Sequence, residues 1–395
     1  MTGAPLNPLM AHITAPPIPL IQRAARDYGE THGPVIDLSQ AVPGFSAHPD
    51  LLRWLGEAAA SPQMLGYGPI QGESVLRSAY ATALCNFYGA PVAADEIHVT
   101  AGANQAFAAA ALAVAGTGEA VALMRPYYFN HDTTLAMFGI RTVAIDTDAA
   151  NGFLPRLDDV AAAIGEGVKA VAIVSPNNPT GAIYPPALLE SLFDLCVAKN
   201  VWLIVDETYR DFLPVSAGAP HGIFSRANWR DHFIGLYSFS KSFCIPGHRL
   251  GAVTAGAPFI ATLAKIMDNL QICAPRAPQA AIAKAIPALD RWQLSNRQEI
   301  AARADAFRAM VNAVDGWETA ALGAYFAYVR HPFATQDATA VGARLAAEFG
   351  VIALPGPFFG AGQERYLRMA FANVEADVFP SLADRLSAML KSRTA

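Results

Sequence analysis

The feature that most restricts the folds open to this chain is a rhythm. Short apolar runs, "AVALM", "VKAVAIVSP", "VWLIVDE" and "HFIGLYSFS", alternate with segments of helical period such as "PALLESLFDLCVAKN". Runs this short and apolar on both faces suit strands of a parallel sheet, because the crossover helices of βαβ units cover both of its sides. The pattern predicts such a sheet over roughly residues 90–260, within an α/β fold.

After "GAPFIATLAKIMDNLQICAPRAPQ" comes a long helical stretch, followed by "AYFAYVRHP", "GVIALPGPFFG" and "RYLRMAFAN", which read as short strands mixed with helices. The expectation is a second, smaller α/β domain. The boundaries follow as 1–45 for a Pro-rich arm that lies over the body and begins the small domain, 46–285 for the large domain, and 286–395 for the small C-terminal domain. No internal repeat or low-complexity segment interrupts the pattern.

Composition excludes several functions. The 395 residues are 53% apolar and only 15% charged, with a net charge of -5 and no basic tract, which suits an enzyme or oligomer and gives no reason to expect nucleic acid. Cys85, Cys196, Cys244 and Cys273 lack CxxC spacing, so neither a metal site nor a disulfide framework is expected. The first residues, "MTGAPLNPLMAHITAPPIPL", lack a charged start followed by an apolar run, and no uncharged apolar run reaches about 18 residues. We therefore expect a soluble cytoplasmic protein with no membrane partner.

Function belongs at the strand ends, where the informative polar residues lie. "VWLIVDETYRDF" runs an apolar strand into Asp206, Glu207 and Tyr209. A carboxylate there needs a partner, either a following helix that it caps or a cationic ring nitrogen. "SPNNPTGAIY" ends another strand in residues that turn chemistry alone explains, yet the same loop can present Asn178 at the carboxyl edge of the sheet. "IHVTAGANQAF" reads as strand, Gly102 turn and a helix starting near Ala103, whose free N–H groups suit a phosphate; read alone, Gly102 only supplies a positive φ. In "SFSKSFCIPGHRLG", Lys241 sits between serines and Arg249 follows eight residues later, too far for one helical turn to pair them.

Together these segments resemble the aspartate aminotransferase superfamily, the fold type I pyridoxal phosphate enzymes, in its class I/II aminotransferase branch. The likeness covers nearly the whole chain. Its most specific parts are SxSKxxxxPGxRxG, matched by Ser238, Ser240, Lys241, Pro246, Gly247, Arg249 and Gly251, and the NPTG turn at Asn178 to Gly181, with Asp206 and Tyr209 in order between them.

The resemblance implies a large domain with a mostly parallel central sheet and pyridoxal 5'-phosphate as cofactor. Lys241 would form the internal Schiff base and then shuttle the α-proton. Arg249, Ser238, Ser240, Gly102, Ala103 and Asn104 would hold the phosphate, and Asp206 would keep the pyridine nitrogen protonated. Asn178 and Tyr209 would hydrogen-bond the phenolic oxygen, and Tyr128 of "RPYYFNH", rather than Tyr127, would stack on the ring. No metal is implied.

For the substrate, "RYLRMAFAN" matches the family motif in which an arginine takes the α-carboxylate, at Arg368 rather than Arg365. Ala41 stands where the family usually has glycine near that carboxylate, and "LQICAPRAPQ" lacks the arginine of dicarboxylate-specific members, although Arg276 lies close by. Tyr325, Phe326 and Phe359 are candidate pocket walls, and an apolar or aromatic L-amino acid is the expected donor to a 2-oxo acid. Tyr67, followed by Gly72, matches a motif whose tyrosine reaches the neighbouring subunit's cofactor phosphate, which implies a homodimer with shared sites. Two other readings remain open: a lyase of the same fold, of the carbon–sulfur or aminocyclopropane carboxylate synthase kind, and a non-catalytic effector domain of a DNA-binding regulator. The latter needs an added helix-turn-helix that we do not expect in the Pro-rich first residues.

Overall fold

The apolar runs form strands of a central sheet, and the arm that precedes them adds one short strand to a separate two-stranded pair. This computed structural model describes residue 4 and residues 6–392. In chain order the strands are β1 (Ile36–Asp37), β2 (Ile97–Thr100), β3 (Ala120–Arg125), β4 (Arg141–Asp146), β5 (Ala170–Val174), β6 (Trp202–Asp206), β7 (Phe233–Ser238) and β8 (Gly251–Thr254). They continue as β9 (Glu318–Gly323), β10 (Phe326–Arg330), β11 (Val351–Ile352), β12 (Leu354–Pro355) and β13 (Tyr366–Met369).

The large sheet has the order β2-β8-β7-β6-β5-β3-β4. Its core pairings are parallel, and β8 alone runs against both of its neighbours. β5 and β7 are buried along their whole length, as continuous apolar runs require, whereas edge strand β4 alternates exposed and buried residues. The registers pair Val174 with Asp206 and Asp206 with Leu236, so β5, β6 and β7 deliver their last residues to one edge.

The smaller antiparallel sheet has the order β12-β13-β10-β9. Phe307, Val311, Val341, Leu345, Leu382 and Leu386, on helices Asp290–Asn312, Ala338–Phe349 and Phe379–Lys391, share its buried core. The middle helix has definite ends: the Asp337 side chain accepts from Thr339 N–H at 2.7 Å, and Gly350 terminates it at φ 63. β1 pairs in parallel with β11, so the arm is stitched into the C-terminal part of the chain. No helix among the described residues is long and apolar enough to cross a membrane.

The two sheets meet where the turn after β5 touches the hairpin of β9 and β10. Gly181 has φ +78, and a Cβ on it would lie 2.3 Å from the Gly323 nitrogen; one on Gly323 would lie 2.2 Å from the Gly181 carbonyl oxygen. Both neighbours are backbone, which cannot swing aside. Gly323→Ala should therefore cost about 1–3 kcal/mol from overpacking, and Gly181→Ala about 1 kcal/mol more because its φ disfavours a side chain. Urea unfolding of the two variants would check both the size and the order.

Candidate functional site

The strand-end carboxylate is tied down on both sides. At the end of β6, Asp206 Oδ1 accepts from Thr208 N–H at 3.0 Å and from the Thr208 hydroxyl at 2.6 Å. Its Oδ2 lies 3.4 Å from His131 Nε2, and the His131 ring stacks on Phe107 with centroids 3.8 Å apart. Asp206 thus forms an Asx-type turn instead of capping a regular helix. His131 lies within the quoted "RPYYFNH", yet nothing in that stretch singles it out.

Lys241 rises from the short turn Phe239–Ser242 that follows β7, capped where Ser238 Oγ accepts from Ser240 N–H at 3.3 Å. Its Nζ donates to the Ala41 carbonyl. Burial, with the Arg368 and Arg249 guanidiniums nearby, pulls its pKa down from 10.5 to about 8. Behind the turn, the Tyr237 hydroxyl donates to Asp211 at 2.6 Å and lies 2.7 Å from Ser242 Oγ, fastening the lysine turn to the segment after Asp206.

The other end of the site is an anion cradle. Gly102, at φ +88, precedes helix Ala103–Val114 and offers no side-chain cap, which leaves the first N–H groups of the helix open. Arg249 lies directly over it: a Cβ at Gly102 would stand 2.4 Å from Arg249 Nη2. The guanidinium is aimed by donation to Pro246 O at 2.9 Å and Ala101 O at 3.3 Å. Nearby Ser240 Oγ is buried without a hydrogen-bond partner.

Arg368, on β13, is buried with no carboxylate against it. Its Nη1 donates to Asn178 Oδ1 at 2.9 Å and its Nη2 to the Ser39 carbonyl, while Phe326 and Phe359 face the guanidinium at 5.0 and 5.3 Å. Nε has no partner. Burial lowers its pKa to about 10, so it stays charged at neutral pH.

A cavity of about 240 Å³ joins these groups. Ala41, Ala103, Asn104, Tyr128, Asn178, Asp206, Tyr209, Ser238, Ser240, Lys241, Arg249 and Arg368 all line it. Gly102 stands at its margin, under Arg249. Tyr128 is the tyrosine of its pair that faces the cavity; its phenol accepts from Asn130 Nδ2 at 2.8 Å, and burial raises its pKa. Arg365 points away and donates to the His331 carbonyl at 2.9 Å.

One expectation needs correcting. Tyr325, Phe326 and Phe359 do not wall the cavity: all are fully buried core residues, and the last two instead flank Arg368. Alternating aromatic spacing marked strands and core. The larger apolar walls are Ile18, Val42, Phe129, Val174 and Pro246, with Gln40 as a polar neighbour. Arg276 is not free to meet a substrate in its own chain, because its Nε donates to Glu73 Oε1 at 2.6 Å and its Nη1 to two backbone carbonyls. Tyr67 lies outside the cavity and is 81% exposed.

Comparison with known proteins adds independent findings. The family described as aminotransferase class I and II matches residues 29–386. An aromatic aminotransferase of Arabidopsis thaliana is 28% identical over 89% of this chain and 88% of its own length. A valine–pyruvate aminotransferase of Mycobacterium tuberculosis is 29% identical, covering 94% of this chain and 95% of its own. Among solved structures, an aromatic aminotransferase from Pyrococcus horikoshii superimposes with a TM-score of 0.85 at 27% identity, over 91% of this chain and 96% of that one.

The lowered lysine pKa is open to direct measurement on the chain without added ligand. After reductive methylation with 13C-formaldehyde, the Lys241 signal, assigned by its absence from Lys241→Met, should titrate with a midpoint near pH 8. Its environment disfavours the ammonium, so the neutral amine predominates above that pH and about one in ten lysines is neutral at pH 7. A midpoint at the ordinary 10.5 would show that burial and the two guanidiniums do not act on it.

Proposed function

Because the chain belongs to the class I and II aminotransferases and is a transaminase, we propose that it moves an amino group from an apolar or aromatic L-amino acid to a 2-oxo acid with pyridoxal phosphate held in this cavity. The family uses that cofactor. The observation that carries the assignment of residues is the meeting of Lys241, Asp206 and Arg249 at one sheet edge, opposite an Arg368 that lacks a counter-ion. The orphaned Ser240 hydroxyl and the uncapped helix start beneath Arg249 fit a phosphate, and the fixed Asp206 carboxylate fits a protonated ring nitrogen.

When bound, pyridoxal phosphate supplies an aldehyde and an electron-accepting ring. The chain's own groups do the rest. Lys241 Nζ would hold the aldehyde end, and its amine would be the base that takes the substrate's α-proton and gives a proton back. Arg249, Ser238, Ser240, Gly102, Ala103 and Asn104 hold the phosphate. Asp206, braced by Thr208 and His131, keeps a negative charge beside the ring nitrogen.

Asn178 gives its oxygen to Arg368, which leaves Nδ2 to donate, with the Tyr209 hydroxyl, to the phenolic oxygen. Tyr128, which lines the cavity, would lie against the ring. Arg368, with the rings of Phe326 and Phe359 near its guanidinium, would take the substrate carboxylate next to Ala41. We take residues 46–285 as the cofactor-holding body, with 286–395 and the arm as the smaller unit, and place the protein in the cytoplasm, where its four free thiols would stay reduced.

We further assign a homodimer in which each Tyr67 reaches the phosphate site of the other subunit; its exposed ring and its neighbours Leu65, 80% exposed, and Val75, 59% exposed, support a surface that another copy covers. The elimination or replacement chemistry considered from the sequence gains no support from relatives that are named aminotransferases. No feature described above favours a DNA-binding regulator either.

Two experiments test the reading. In a donor screen, phenylalanine, leucine or methionine should exceed aspartate and glutamate in kcat/KM by at least about tenfold, since an apolar wall leaves a second carboxylate unpaired; preference for aspartate would overturn the assignment. Lys241→Ala should lose transamination by orders of magnitude while staying folded. Mixed at limiting pyridoxal phosphate with Tyr67→Ala chains, which retain too little cofactor there to turn over, it should regain activity through heterodimers in which one site receives both residues. In the homodimer, Tyr67→Phe should weaken cofactor retention by about tenfold to a hundredfold, the loss of one hydrogen bond to a charged group.

A further inference from the structure

Arg276 is the one basic side chain in "LQICAPRAPQ", and its Nε and Nη1 both donate to a single loop. Nε donates to Glu73 Oε1 at 2.6 Å, and Nη1 to the carbonyls of Gln63 at 2.7 Å and Gly66 at 3.0 Å. The contacts fall on both sides of Tyr67. Around them the same helix start adds further ties: Gln279 Oε1 accepts from Glu73 N–H at 2.7 Å, and Cys273 Sγ accepts from Gly68 N–H at 3.4 Å. The approach is close enough that a Cβ on Gly68 would lie 2.8 Å from Arg276 Nε.

The loop is thus fastened through its backbone, while the side chain it carries at its crest is left out. Among the described residues, no hydrogen bond or ring contact within the chain holds Tyr67, and the residue is 81% exposed. A guanidinium fork that closes two carbonyls and a carboxylate fixes a loop shape far more tightly than a lysine could. Ordering this loop does nothing for the cavity of its own chain, which neither Arg276 nor Tyr67 lines.

We propose that Arg276 is a positioning residue that presents Tyr67 to the cofactor phosphate of the partner subunit, so that its effect falls on the other chain's site and not on its own. The inference rests on the shared-site homodimer proposed above. It gives Arg276 a place in the reaction without contact to substrate, and it separates this arginine from one that would bind a second substrate carboxylate.

Subunit mixing tests it in trans. The reference pair is Lys241→Ala with Tyr67→Ala, whose heterodimer has one complete site, built on the Tyr67→Ala body and completed by the loop of the lysine-less chain. The test pair adds Arg276→Ala to that lysine-less chain and leaves the body of the complete site untouched. At limiting pyridoxal phosphate the rescued rate should fall about tenfold, the loss of one hydrogen bond to a charged group, saturating pyridoxal phosphate should restore it, and the pair's dissociation constant for the cofactor, read by titrating the quenching of protein fluorescence, should rise by the same factor.

A second pair, with Glu73→Gln in place of Arg276→Ala, should show a smaller fall in the same direction and serves where the arginine variant folds poorly. Sedimentation and heterodimer yield, measured for every pair, normalise the rates. Unchanged rescue in both test pairs would overturn the role of Arg276 while leaving the shared site intact. Absence of rescue in the reference pair, with subunit exchange verified, would overturn the shared site itself and this inference with it.

Discussion

A buried guanidinium without a carboxylate partner organises this molecule. Removing a charge from water is costly unless hydrogen bonds or an opposite charge replace the lost hydration. Arg368 receives partial replacement from neutral groups: the Ser39 carbonyl on the arm, the Asn178 amide after β5, and the faces of Phe326 and Phe359. Each comes from a different part of the chain, so the arm, the large sheet and the small sheet converge on one cation. Its unpartnered Nε leaves an electrostatic demand that an anionic substrate group would meet.

The remaining charges are arranged around the parallel strands. Because β5, β6 and β7 end at one edge, Asp206 and Lys241 arrive as neighbours without any local sequence link between them. Their loops are stiffened from behind. Arg210, next to Tyr209, donates to Tyr80 OH at 3.1 Å and lies 4.1 Å from the Tyr237 ring centre, and the Tyr88 hydroxyl donates to Glu207 at 2.6 Å. A group whose position must hold to a fraction of an ångström gains from such a packed layer beneath it.

Much of this was legible in the sequence because strand ends are local events. An apolar run that stops at Asp206, a glycine turn before Ala103, and Lys241 between serines each announce a polar group at the rim of a sheet. What could not be read depends on long-range placement. His131 reaches Asp206 from the first turn of helix Phe129–Met137, which packs on helix Ala103–Val114 and β4, and no periodicity marks it. Ile18 and Val42 wall the cavity from the arm, where a Pro-rich stretch carries no pattern to show which apolar side chain turns inward. Aromatic alternation in "GAYFAYV" told of burial but not of which cavity, and Phe326 proved to hold an arginine instead of a substrate. The reversed direction of β8 likewise leaves no trace in its few residues.

The stitching of β1 to β11 has a consequence for synthesis. Arg368 meets a carbonyl 329 positions earlier, and Asn373 Nδ2 donates to the Asp37 carbonyl 336 positions earlier. The large sheet is complete once residue 254 has left the ribosome, and its lysine turn has then emerged with it. Yet β1 has no strand to pair with until β11 has followed, even though Ile21 of the arm already belongs to the core of the large domain. A growing chain therefore carries its most reactive amine on a scaffold that lacks the arginine opposite it, and becomes competent to grip a carboxylate only when translation is nearly done.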